Sequence, residues 1–356
     1  MSGPAVSVVM AAYKGAAFVS ETIASVLAQT LGDFELIVVD DCSPDDTLAV
    51  LRAIRDPRIR VIAADTNQGP VRTRNRAFAE ARGRYIAALD QDDLCRPERF
   101  AKQVAWLEAH PVTVAVGSAA SLLAEDGVVR PGHAPHAMSP GLIDWLLLFR
   151  NPLVWSSMMI RGDIARRLDP FTRPEILYAE DFDLYHRLRQ HGPLARMDEE
   201  LLIYRCHAGG ASQKFRDTMI ASAARALIDA YAPIFGDEGE AVATLVLRHL
   251  NAGLPVADAA TLARLAMAVE TLFAWHLAIA RPDRATEAAI RRETSRLWWR
   301  VARSSVQSGT LGLRRAVAHR PPAALLHQSR PAGLLLARLI GSGRSLGLIP
   351  RSANPA

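Results

Sequence analysis

Acidic residues gather at a few points of this 356-residue chain with spacings that suit chemistry. Asp90, Asp92 and Asp93 directly follow the apolar run Tyr85 to Leu89, so one loop carries three carboxylates. Crowded carboxylates repel unless a cation sits among them, and hard oxygen ligands suit Mg²⁺ or Mn²⁺ held by one or two carboxylates plus substrate phosphates. The same cluster also reads as a solvated acidic turn before the helix at Pro97-Glu98, because acids favour a helix N-terminus. The run from Asp40 to Thr47 has a similar double character. Ser43 or Asp45 suits a helix cap, whereas Asp40, at a strand end, suits accepting a hydrogen bond from a base or ribose. Glu180-Asp181, at a helix start, reads by itself as a capping pair.

The elements that must position these groups follow a regular rhythm. Val6 to Met10, Phe34 to Val39, Ile59 to Ala63 and Tyr85 to Leu89 are short apolar runs. Between them, Phe18 to Gln29, Thr47 to Ile54 and Val71 to Ala81 have apolar residues at helical spacing. Runs that are apolar throughout fit parallel strands covered on both faces. Ligands of such sheets bind beyond the carboxyl ends of the strands, and Tyr13-Lys14-Gly15, Asp40-Asp41, Asp65 to Gly69 and Asp90 to Asp93 stand at those ends. A helix over Glu98 to Ala109, strands near Val112 to Ser118 and Val154 to Ile160, a loop over Pro131 to Pro140, a helix over Glu180 to His191 and a last strand, Leu201 to Arg205, follow. Past Phe215 the pattern becomes alanine- and leucine-rich helix. The expected domains are 1–215 and an α-helical 216–356.

Composition bounds the answer. Half the residues are apolar and 22% are charged, with a net charge of +5, which fits a globular chain with an ample core and excludes disorder as the dominant state. The acid-interrupted run Leu142 to Phe149 is far too short to span a bilayer, so no integral membrane segment is expected. Met1 to Met10 lacks a basic, cleavable leader pattern. Cys42, Cys95 and Cys206 form no CxxC pair, and a reducing, cytoplasmic compartment is the default. From Arg291 onward twelve arginines face the single acid Glu293, a local charge of +11, which leaves −6 on residues 1–290.

Taken in order, five blocks resemble family 2 glycosyltransferases: Val6 to Gly15; Ser25 to Thr30 with Asp33 to Thr47; Asn67-Gln68-Gly69 with Arg74-Asn75; Asp90-Gln91-Asp92-Asp93; and Glu180-Asp181-Phe182-Asp183-Leu184. The resemblance spans roughly residues 5–215 and implies the GT-A fold, a Rossmann-like, mostly parallel α/β sheet flanked by helices. It also implies a nucleotide-sugar donor, a divalent cation (Mn²⁺ or Mg²⁺) and inversion at the anomeric carbon. Carried over, Ala12 and Tyr13 line the base pocket, and Asp40 accepts from a pyrimidine N3–H, which points to a UDP- or dTDP-sugar. Asn67, Gly69, Arg74 and Asp90 border the ribose and diphosphate. Asp92 and Asp93 hold the metal, approached by His207 of Tyr204-Arg205-Cys206-His207. Asp181 is the base that deprotonates the acceptor hydroxyl, with Glu180 positioning it or the acceptor. Trp155, Ser156 and Ser157 fall where the family has its acceptor site, although a tryptophan in an apolar strand also reads as core; His133 and His136 fall in the preceding loop.

The basic C-terminus, with Trp298-Trp299 among arginines and Leu334 to Ile340 beyond, fits a helix lying on anionic lipid at the inner face of the cell membrane. It equally fits an amphipathic helix packed on protein with its arginines in water. No nucleic-acid fold motif accompanies it, so no nucleic-acid partner is expected. The reading is therefore of transfer to a saccharide or lipid-linked acceptor in surface polysaccharide or glycolipid synthesis. Two alternatives stand beside it: a nucleotidyltransferase, disfavoured because no Gly-rich basic phosphate loop opens the chain, and a non-catalytic nucleotide-sugar binding module.

Overall fold

The structure, a computed structural model, describes residues 3–132, 137–207, 214–325, 333–338 and 340. His133 and His136 lie outside the described residues, as do Ala208-Gly209-Gly210, Leu339 and the tail arginines Arg330, Arg344 and Arg351. The chain forms two compact units, Met1–Leu147 with Asn151–Ala226, and Leu148–Arg150 with Leu227–Ala356. The division falls inside helix Arg216–Phe235, which begins where the sequence pattern turns helical.

The first unit is built on one mixed sheet. Strands β1 (Val6–Ala12), β2 (Phe34–Asp40), β3 (Ile59–Ala63) and β4 (Tyr85–Ala88) run parallel in the order β3-β2-β1-β4. Helices α1 (Val19–Leu27), α2 (Thr47–Ala53) and α3 (Pro70–Ala79) make the crossovers. β1, β2 and β4 are buried along nearly their whole length, which is why they read as unbroken apolar runs. α1 buries Val19, Ile23 and Val26, one stripe at helical spacing.

Beyond β4 the sheet turns antiparallel. β8 (Met159–Arg161) pairs with both β4 and β6 (Ala115–Leu123), and β6 runs parallel to β9 (Leu194–Arg205). The two-residue β5 (Leu94–Cys95), after helix-free Asp90 to Asp93, pairs antiparallel with β9. This short pairing has no sequence signal, yet it carries the acidic loop to the end of β9. Helices α4 (Arg99–Ala109), α5 (Pro140–Leu146), α6 (Gly162–Ala165) and α7 (Glu180–Leu188) complete the unit, with the hairpin strand β7 (Val129–Arg130) on β6. The strand expected over Val154 to Ile160 is instead a 3₁₀ turn at Trp155–Ser157 followed by the short β8. Ser157 is the reason: its hydroxyl donates to Val154 O (2.8 Å) and accepts from Ser118 N (3.2 Å), satisfying backbone groups locally instead of through a ladder.

The second unit is helical among its described residues. Helices Ala259–Ala280 and Arg284–Ser308 are capped by Asp258 and Asp283, whose carboxylates accept from Thr261 N (2.7 Å) and Thr286 N (2.8 Å). Ala259–Ala280 is long and apolar enough by composition to cross a membrane, with a mean hydropathy of 1.4. Counting uninterrupted apolar runs misses it because Arg264 and Glu270 interrupt it; Leu262, Leu265, Val269, Leu272 and Phe273 form its buried stripe. The tail reading needs one correction: Trp298 and Trp299 are core residues, 0% and 1% exposed, and Trp299 Nε1 donates to Leu325 O (3.0 Å). Helix Arg284–Ser308 turns Ile290, Leu297, Trp298, Val301 and Ala302 inward, so its aromatic face packs on protein.

Candidate active site

The polar residues beyond the parallel strands form one connected cluster. After β1, Tyr13 is held by Gln91: its N–H donates to Gln91 Oε1 and its carbonyl accepts from Gln91 Nε2, both at 2.9 Å. A Cβ at position 15 would lie 2.0 Å from Gln91 Oε1, so glycine there lets the Gln91 carboxamide keep its hold on Tyr13. The Gln91 carbonyl accepts from Thr22 of α1 (2.8 Å). Tyr13 stays 40% exposed while Ala12 is buried, so the pair offers backbone and an open ring at the end of β1. The next residue, Lys14, has a φ of 50°, a strained value for a non-glycine residue.

At the end of β2, Asp40 is buried; Oδ2 accepts from Ser43 N (3.1 Å) and Oδ1 has no partner among the described residues. A buried carboxylate oxygen without a donor is costly, and a ligand N–H would satisfy it. The adjacent Asp41 has a different role, which the sequence reading did not assign. Its carboxylate accepts from Gln68 N (2.8 Å) and Gly69 N (2.9 Å), and its carbonyl accepts from Asn67 Nδ2 (3.1 Å). Asp41 thus shapes the loop that leads into α3, with Gly69 at φ 83° and Pro70 opening the helix.

α3 then reaches across the site. The Arg74 side chain, 8% exposed, lies with its guanidinium 4.5 Å from the Trp155 ring centroid. It ion-pairs with Glu180 and donates to Asp90 Oδ1 (3.3 Å). Expected at the diphosphate border, Arg74 here bridges the acidic loop and α7. Trp155 is itself buried (6% exposed), supporting Arg74 from below as core. Asn75, the next residue, accepts from Thr172 N (2.9 Å) and Thr172 Oγ1 and donates to Thr172 O (2.6 Å), anchoring the segment that enters α7.

The acidic loop after β4 divides its carboxylates. Asp90 N donates to Ser156 Oγ (3.1 Å). Asp92 Oδ2 lies 2.8 Å from His207 Nε2, and both side chains are about a fifth exposed, 24% and 20%. Asp93 is 1% exposed; Oδ1 accepts from Arg205 N (2.9 Å), and Oδ2 is buried without a partner among the described residues. Burial, then the neighbouring Asp92 and Asp90 carboxylates, push the Asp93 carboxyl well above the usual range. Arg205 secures the loop, Nε donating to Asp92 O (2.9 Å) and Nη2 to Glu21 (2.5 Å). Among the described residues no three His, Cys, Asp or Glu side chains converge as a preformed cage. Asp92 and His207 converge as a pair, while Asp93, expected as a ligand beside Asp92, turns one oxygen to Arg205 N instead. A hard oxygen and an imidazole nitrogen that leave most positions open fit a divalent ion completed by diphosphate oxygens.

Asp181, in the first turn of α7, stands apart in its surroundings. Oδ2 accepts from Asn151 Nδ2 (2.7 Å) and Oδ1 from Phe182 N (2.7 Å). Burial first, and the adjacent Glu180 carboxylate second, raise its pKa to about 7. A base poised near neutral pH is suited to taking a proton from a hydroxyl. Glu180 is 6% exposed, with Oε1 on Arg74 and Oε2 unpartnered among the described residues. The site therefore brings Asp90, Asp181, Glu180 and Arg74 into one electrostatic group, with Asp92 and His207 paired at the other end of the acidic loop. Gln91, Asp41, Asn151 and Arg205 are the residues whose roles sequence reasoning missed.

Comparison with known proteins places the chain in a family and shows the fold it shares. The model of Glycosyl transferase family 2 matches residues 7–160. The chain is 39% identical over 157 residues to the succinoglycan biosynthesis protein ExoO of Rhizobium meliloti, covering 42% of this chain and 44% of that protein, which is less than half its length. It is 34% identical over 195 residues to the putative glycosyltransferase EpsE of Bacillus subtilis, covering 54% and 69%. To the UDP-Glc:alpha-D-GlcNAc-diphosphoundecaprenol beta-1,3-glucosyltransferase WfaP of Escherichia coli it is 30% identical over 216 residues, covering 60% and 82%. Among solved structures it is similar in fold to S. aureus TarS 1–349 in complex with UDP-GlcNAc, with a TM-score of 0.52 at 18% identity over 97% of this chain and 93% of that one.

Proposed function

The chain belongs to glycosyltransferase family 2, and on that premise we propose that it moves a sugar from a UDP- or dTDP-sugar to a hydroxyl of a saccharide or lipid-linked acceptor, with inversion. The observation that carries the proposal is Asp181, a carboxylate raised to about 7 and joined through Glu180, Arg74 and Asp90 to the strand-end cluster. In this reading Asp40 takes the pyrimidine N3–H on its free oxygen, Ala12 and Tyr13 flank the base, and Asn67, Gly69 and Asp90 border the ribose and diphosphate. Asp181 accepts the proton of the attacking hydroxyl, and Glu180, fixed by Arg74, keeps a second charge beside it. Asp92 and His207 would hold Mn²⁺ or Mg²⁺. When bound, the ion supplies neutralisation of charge on the departing nucleoside diphosphate.

Relatives named for succinoglycan biosynthesis and for a diphosphoundecaprenol-linked acceptor favour synthesis of a surface polysaccharide or glycolipid. A cytoplasmic enzyme touching the inner face of the membrane through its basic C-terminal region suits a lipid-linked acceptor. The test is melting temperature across UDP, dTDP, GDP, UDP-glucose and UDP-GlcNAc, each with Mn²⁺ and with EDTA. A ligand at a hundred times its Kd adds about 2.7 kcal/mol, so a uridine or thymidine nucleotide should raise Tm in a metal-dependent way. A folded protein that no nucleotide shifts would sink the proposal.

A further inference from the structure

Asn151 belongs to no motif that named the site, yet among the described residues it makes the one side-chain hydrogen bond to the candidate base: Nδ2 donates to Asp181 Oδ2 at 2.7 Å. Its other carboxamide atom is committed, since Oδ1 accepts from Leu153 N at 3.0 Å. This Asx-type turn fixes which end of the amide faces Asp181, so Asn151 can only donate there. Pro152 follows, and a residue before proline is biased to an extended backbone, so the turn is organised in advance.

We propose that Asn151 is the positioning residue of the base, holding the Asp181 carboxylate in one orientation and favouring its charged form. The inference rests on the reading of Asp181 as base. The charged and titratable groups around Asp181 are Glu180 on its own helix, Arg74 from α3 and Asp90 from the acidic loop, with the buried Tyr185 one turn along α7. Glu180 and Asp90 disfavour the carboxylate and Arg74 favours it. Against that balance, a neutral donor adds preference for the charged form without adding charge. An aspartate in its place would add a third repelling carboxylate. A lysine or arginine would pull Asp181 down into the ordinary carboxylate range and leave it a weak base at neutral pH.

The experiment is a ¹³C NMR titration of the full chain labelled at aspartate Cγ, with Asp181→Asn identifying the resonance. The wild-type midpoint should lie near 7. In Asn151→Leu it should rise by about one pH unit, the scale of a lost hydrogen bond to a charged group. Asn151→Asp is isosteric and guards against a leucine variant that does not fold; its Asp181 midpoint should rise further. An unchanged midpoint in either folded variant overturns the proposal. Retained transfer by Asp181→Asn would instead sink the base assignment while leaving the measured coupling intact, so the two failures are distinguishable.

Discussion

The acidic loop after β4 and the first turn of α7 are both dense in carboxylates, but their surroundings differ. In the loop, Asp92 finds an imidazole and Asp93 a backbone N–H, and one buried oxygen is left unpartnered among the described residues. In α7, Asp183 is neutralised by Arg173 and Arg187, while Asp181, two residues earlier, is held by an amide and pressed by Glu180. On the proposed function, the loop is arranged to receive positive charge and α7 to keep one carboxylate half-protonated near neutral pH. Residue type is the same in both; the partners assign the work.

The sharpest way to break this comparison is to remove charge from one side at a time. Asp181→Asn should lower transfer by about 10²–10⁴-fold, the usual contribution of a positioned base, while nucleotide binding measured by calorimetry stays near wild type. Loss of binding with the fold intact would move Asp181 into the donor site. Asp92→Asn should act oppositely, weakening Mn²⁺ affinity measured by titration calorimetry in the presence of UDP by at least about 10–100-fold, the range seen when only an outer-shell partner of a metal ligand is lost. Equal metal affinity in the variant would return the loop to a plain acidic turn.

A further effect concerns stability. Folding raises Asp181 from its ordinary 3.8 to about 7, so between those values the folded state keeps a proton that the unfolded chain has released. Stability from this group is full below about pH 4 and declines as pH rises to about 7. Asparagine cannot ionise and escapes the decline. The Tm of Asp181→Asn should therefore match wild type near pH 4 and exceed it by a margin that grows to a plateau by pH 8. A gap that does not vary with pH would mean that Asp181 is not perturbed in the folded protein.

The parallel half of the sheet could be read from the chain because both faces of β1, β2 and β4 are covered and, Glu35 and the strand-end Asp40 apart, every residue in them is apolar or small. Strand ends then located Asp40, Asp90 and the loop at Asn67 without any knowledge of contacts. What could not be read depends on partners distant in sequence. Asp41 and Asp40 are neighbours of one type, and only the approach of Gln68 and Gly69 separates their roles. Asn151 carried a faint signal, an Asn-Pro pair at the end of an apolar run, but its reach to Asp181 depends on how the intervening turns fold. Trp298-Trp299 misled because arginines flank them at helical spacing, and spacing defines a face without saying what covers it.

Gly15 and Gln91 also bear on how this sequence can change over generations. No side chain fits at position 15 while the Gln91 carboxamide clasps the backbone of Tyr13. A larger residue at 15 turns that carboxamide aside, and a displaced or shortened 91 releases Tyr13. The two positions, 76 residues apart in the sequence, are thus coupled, and a change at 15 is felt first at Tyr13.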